Sequence, residues 1–156
     1  MPGIQFVDTS ILLNLLDVPH MNQDHTAVVD EMKERRASGV RFVLPITAVV
    51  ETGNHIAQIA DGYHRRVCAQ RFVDMLELVA ERKAPWVLHE VGWDGRFLRV
   101  LAAGASSGVS LVEHALNKVG CGDLCILAER DRYLAGVSSG VTAEIWTLDQ
   151  GLAGWS

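Results

Sequence analysis

The stretch Ile4-Gln5-Phe6-Val7-Asp8-Thr9-Ser10-Ile11-Leu12-Leu13-Asn14-Leu15-Leu16 decides the fold. Its first four residues read as a short buried strand. Asp8-Thr9-Ser10 then offers side chains suited to capping a helix, and the apolar run Ile11 to Leu16 continues at once. A strand passing almost directly into a helix is the start of an α/β chain. The rest repeats that alternation. Helix is expected over Asp24–Arg36, Thr47–Ala60, Tyr63–Lys83, Gly95–Ala103, Leu111–Val119 and Leu124–Leu134. Strands are expected at Arg41–Leu44, Trp86–Leu88 and Ile145–Leu148, with Gly/Ser loop at 104–110. Strands separated by helices imply crossover connections and a mainly parallel sheet covered on both faces, a three-layer α/β/α sandwich. At 156 residues and 49% hydrophobic, the chain is expected to be one domain, residues 1–156, with a full core.

Composition narrows the function classes. The 19 acidic against 14 basic residues give a net charge of −5, unfavourable for a surface that grips a polyanion throughout. The longest stretch free of Asp, Glu, Lys and Arg, Val100–Val112, has 13 residues and five Gly or Ser, too short and polar to span a bilayer. The first residues lack the basic start and long apolar run of a signal peptide, so a cytoplasmic location is expected. Cys68, Cys121 and Cys125 fit reduced, buried thiols better than a disulfide framework or zinc knuckle. Neither G-x-x-x-x-G-K-[ST] nor a G-x-G-x-x-G after a strand occurs, which speaks against a nucleotide cofactor. No histidine pair lies three or four residues apart, so a His-rich zinc site has little basis. A phosphatase of the haloacid-dehalogenase type needs a second Asp two residues after the first, where this chain has Ser10.

Acids at element boundaries remain: Asp8, Glu51, Asp123 and Asp149. In a parallel sheet, sites form at the carboxyl ends of the strands, where Asp8 and Asp149 are expected. Carboxylates from different elements suit a hard divalent cation, Mg²⁺ or Mn²⁺, and without one they would repel each other.

Four segments then carry a family resemblance: Val7-Asp8-Thr9-Ser10, Thr47-Ala48-Val49-Val50-Glu51, Gly122-Asp123-Leu124-Cys125-Ile126-Leu127-Ala128 and Trp146-Thr147-Leu148-Asp149. In this order, from residue 4 to about 152, they resemble the PIN domain, especially the VapC-type toxins. The resemblance implies a Mg²⁺- or Mn²⁺-dependent endoribonuclease. It would cleave single-stranded RNA by metal-activated water, leaving 5′-phosphate and 3′-hydroxyl ends. It implies metal ligation by Asp8, Asp123 and Asp149, with Glu51 binding directly or through water, and Ser10 and Thr147 orienting waters or carboxylates beside them. A protein antitoxin and a homodimer come with the same resemblance. The chain departs from the pattern in the 26-residue gap between Asp123 and Asp149 and in a long stretch from Gly92 to Gly120. Asp131 or Glu144 are therefore alternatives to Asp149, and a non-catalytic PIN-like binding module or a housekeeping RNA-processing nuclease are alternatives to a toxin.

Two further features are open to a bland reading. Arg65, Arg66 and Arg71 lie on the long helix, as a solvated face or as an RNA or partner contact. Trp93, Phe97 and Trp155 are core residues or base-stacking surfaces.

Overall fold

The computed structural model describes residues 3–155. Its order is β1 (Ile4–Val7), α1 (Thr9–Leu15), α2 (His25–Ala37), β2 (Arg41–Val43), α3 (Ile46–Ala57), α4 (Gly62–Ala80), β3 (Trp86–Val87), α5 (Gly95–Ala102), α6 (Leu111–Leu116), α7 (Cys121–Ala135), β4 (Ala143–Trp146) and α8 (Gln150–Ala153), with a 3-10 turn at Ala105–Ser107. The four strands form one parallel sheet in the order β3-β2-β1-β4. Helices flank the sheet, and the expected α/β/α sandwich is what the chain forms.

β1 lies between β2 and β4, and every one of its residues is buried, as a strand covered on both faces requires. Gln5, the one polar member, accepts a hydrogen bond at Oε1 from Arg35 Nη1 of α2 at 2.7 Å. The main core joins Phe6 and Val7 to Ile11 and Leu12 of α1, Phe42 of β2, Ala48 of α3, Ile126 and Leu127 of α7, and Trp146 of β4. A second cluster, Leu13, Leu16, Ile56, Cys68 and Phe72, welds α1 to α3 and α4. All three cysteines are free thiols; Cys68 and Cys125 are buried as expected, whereas Cys121, at the first position of α7, is exposed. Among the described residues, no helix is long and apolar enough to cross a membrane.

Phe6 has no exposed surface and meets Tyr133 and His89 edge-on, at ring centroid separations of 5.7 and 6.1 Å. Phe6→Ala should remove about 3–5 kcal/mol from the unfolding free energy, read from the shift of the urea midpoint at unchanged slope. A loss below about 1 kcal/mol would contradict the packing described.

Element boundaries differ from the sequence reading where tertiary contacts override local preference. β4 runs from Ala143 to Trp146, not from Ile145 to Leu148, because its register pairs Ile4 with Ala143 and Val7 with Trp146. It ends where β1 ends, with Asp8 N donating to Trp146 O at 3.0 Å. α7 starts at Cys121, three residues earlier than expected, so Gly122 lies inside a helix despite its low helix propensity. α3 ends at Ala57, and Asp61 then caps α4 by accepting from His64 N. Helix α8 was not expected at all.

Candidate carboxylate site

Asp8 follows β1 directly and occupies the N-cap position of α1, yet its side chain makes no cap hydrogen bond. Its Oδ2 instead accepts from Ser10 Oγ at 2.9 Å and from Thr147 Oγ1 at 2.7 Å, and the residue is 4% exposed. Those two hydroxyls also receive protons: Leu148 N donates to Ser10 Oγ at 3.0 Å and Asp149 N to Thr147 Oγ1 at 2.9 Å. With both hydroxyl hydrogens spent on Asp8, the 3.4 Å approach of Ser10 Oγ to Thr147 Oγ1 is a contact rather than a bond. Ser10 and Thr147 thus splice the end of β1 to the turn after β4.

Glu51 comes from the middle of α3, where its Oε2 accepts from Thr9 Oγ1 at 2.8 Å. Its Oε1 lies against α7, so close to Gly122 that a Cβ there would sit 1.9 Å from it. Asp123 is in the first turn of that helix. A helix N-terminus favours a negative side chain, but the Asp123 carboxyl is nevertheless pushed up to about 6. Burial is the main cause, followed by the charges of Asp8, Asp149 and Glu51. Asp149 caps α8, with Oδ1 accepting from Gly151 N at 2.8 Å and Leu152 N at 3.3 Å. It shares with Asp123 a pocket of about 350 Å³, also lined by Lys118, Gly120 and Trp155.

The four acids therefore reach the carboxyl edge of the sheet from four elements, and three of them are felt electrostatically by the fourth. All-oxygen donors of this kind match Mg²⁺ or Mn²⁺. As the side chains stand, no group of three or more His, Cys, Asp or Glu among the described residues is arranged to hold a metal ion. The donor chemistry fits, whereas the donors do not yet converge: Glu51 is held by Thr9 and Asp149 by its own helix.

Asp123 offers a test of that crowding. Below about pH 3 its carboxyl is protonated whether the chain is folded or not, so ionisation contributes nothing to stability. Above about pH 6 the unfolded chain ionises freely while the folded one carries a buried, repelled charge, so the cost is fully present. With chelator present, Asp123→Asn should stabilise the protein by about 1–2 kcal/mol at pH 8, after discounting for partial solvation, and have no such effect near pH 3. Equal melting temperatures at pH 8 would mean that neither burial nor the neighbouring acids burden the Asp123 charge.

The remaining sequence candidates lie elsewhere. Asp131 accepts from Ser106 N and Ser106 Oγ and pairs with Arg130, and Glu144 is an exposed residue of β4 opposite Gln5. Neither lines the pocket of Asp123 and Asp149. Arg65 Nη1 donates to Ile59 O at 2.7 Å and Arg71 Nη1 to Leu16 O at 3.1 Å, so two of the three arginines tie α4 to its neighbours, although all three residues are exposed. Phe97 is buried, Trp93 is 54% exposed, and Trp155 packs edge-on to His114. Sequence reasoning missed Thr9 and Gly122, which position Glu51. Thr9 looked like a capping residue, and a missing side chain at 122 leaves no trace until its neighbour is known.

Compared with family models, with curated proteins and with solved structures, the chain matches none.

Proposed function

We propose that the protein is a metal-dependent endoribonuclease of the PIN type that cleaves single-stranded RNA, the toxin half of a type II toxin–antitoxin pair. The observation that carries this reading is the gathering of Asp8, Glu51, Asp123 and Asp149, from four elements, at the carboxyl edge of the sheet. Four carboxylates drawn from separate elements against their mutual repulsion are poorly suited to a purely structural role. A divalent cation among them would polarise the phosphodiester and lower the pKa of attacking water.

The chain's own residues contribute orientation. Ser10 and Thr147 hold the Asp8 carboxylate from one side, and Thr9 holds Glu51. Asp149 is fixed by the first turn of α8, so its position depends on the Thr147 hydroxyl only through its backbone. Lys118 lines the same pocket and supplies a positive charge near the approach path of a phosphate. A protein antitoxin, a homodimer and a cytoplasmic location belong to the same proposal and rest on the motif resemblance.

With Mn²⁺ or Mg²⁺, the protein should cleave an unstructured RNA oligonucleotide to products bearing 5′-phosphates, and EDTA should stop the reaction. Cleavage that continues in chelator would sink the proposal. One observation favours a second reading, a PIN-like binding module without catalysis: the acids do not converge as they stand. Calorimetric titration with Mn²⁺ separates the two, since a degenerate site gives no saturable heat.

A further inference from the structure

Helices α3 and α7 meet at several points, two of which involve a carboxylate. At one, Glu51 meets Gly122; at the other, the Glu129 carboxylate accepts the backbone N–H of Ile46. Glu129 is six residues beyond Asp123, about 9 Å along the helix, and faces a different pocket. That pocket holds about 350 Å³ and is walled by aliphatic side chains including Leu44, Val49, Leu76 and Leu88, with Trp93 also lining it. Two polar residues interrupt the apolar wall, Glu129 and His89.

Each carries a buried polar atom without a hydrogen-bond partner among the described residues, Glu129 Oε2 and His89 Nδ1. Glu129 is 2% exposed. An unsatisfied buried carboxylate oxygen is costly, and native chains rarely keep one without a use. Burial pushes the Glu129 carboxyl up to about 7, only partly offset by the Ile46 N–H. The group thus lacks a positive partner. Burial, and next the charge of Arg132, lower the proton affinity of His89, leaving a neutral imidazole able to accept. No Lys or Arg lines the pocket among the described residues, and nearby Arg132 is committed to Asp94 through contacts of 3.1 and 2.8 Å.

We propose that this pocket binds a primary ammonium on an apolar body, with the cation on Glu129 Oε2 and His89 Nδ1 and the body against the aliphatic wall. A carboxylate supplies the charge-assisted bond, the imidazole a second acceptor, and the apolar lining the contact area. The chemistry is shared by a free aryl or alkyl amine and by a lysine side chain presented on a peptide. The proposal goes beyond the ribonuclease reading and requires nothing of the carboxylate site.

The test is an NMR titration of the full chain with benzylamine, with isosteric neutral benzyl alcohol, and with Nα-acetyl-lysine methylamide. Benzylamine should give saturable shifts at Val49, Leu88 and His89, benzyl alcohol should bind far more weakly, and Glu129→Gln should weaken benzylamine at least about tenfold. Stronger binding of the lysine derivative than of benzylamine would assign the pocket to a peptide, the reverse to a free amine. Equal affinity for benzylamine and benzyl alcohol, or no saturable shifts with either amine, overturns the proposal. Should Glu129→Gln fail to fold, the wild-type Glu129 carboxyl carbon decides: bound benzylamine must lower its titration midpoint, and an unmoved midpoint overturns the proposal.

Discussion

Asp8→Asn should lose at least about 100-fold in Mn²⁺-dependent RNA cleavage while keeping its fold, since electrostatic groups of a catalytic site are worth that much or more. The substitution is nearly isosteric. An amide oxygen still accepts from Ser10 Oγ and Thr147 Oγ1, so the splice between β1 and the turn after β4 survives. What disappears is one negative charge at a position 4% exposed. A second readout is independent of activity: after burial, the Asp8 charge is the largest cause of the raised Asp123 carboxyl, so the Asp123 titration midpoint should fall from about 6 towards the ordinary range. Retained cleavage would remove the nuclease proposal. An unmoved midpoint would remove the electrostatic coupling itself.

Gly122→Ala should uncouple stability from activity. Alanine is a better helix former than glycine by up to about 1 kcal/mol, and Gly122 is a residue of α7. Its new Cβ would sit 1.9 Å from Glu51 Oε1 and 3.1 Å from Glu51 Cδ, so the carboxylate must swing away from Thr9. A long side chain can do this cheaply, which spares the fold. The expected result is a melting temperature equal to or above wild type together with cleavage reduced at least about tenfold, because misplaced groups lose the benefit of orientation. Adding Glu51→Asp, which shortens the side chain, should recover part of the activity. Wild-type cleavage by Gly122→Ala would show that Glu51 has no part in the reaction.

The central strand and its carboxyl edge were legible because local pattern and tertiary role agree there. Ile4 to Val7 is apolar at three of four positions, and a strand central to a parallel sheet needs that. Asp8 was legible for the same reason, following the strand with no intervening residue. β4 was misplaced by two residues at its start, since Ile145-Trp146-Thr147-Leu148 looks more strand-like than Ala143-Glu144. Its true span is set by hydrogen-bond register with a segment 139 residues upstream, and nothing in its own composition encodes that. Glu51 was placed on the correct helix, yet its neighbour Gly122 was left ahead of the helix expected from Leu124, because helix propensity disfavours glycine and the close approach that requires it is long-range. Asp149 as the cap of a four-residue helix is below the length at which periodicity speaks.

The pairing of β1 with β4 also sets a timetable. The first strand of the chain takes its outer neighbour from the last, and Asp8 receives a hydroxyl proton from Thr147 across a separation of 139 residues. Contacts so distant in sequence are slow to close and come late in folding. On the ribosome, a growing chain holds Asp8 and Glu51 long before Asp123, and gains Asp149 only after residues 136–148 have been made. Until β4 docks, the four acids cannot meet. On the nuclease reading, the site therefore stays unassembled until the whole sheet has closed.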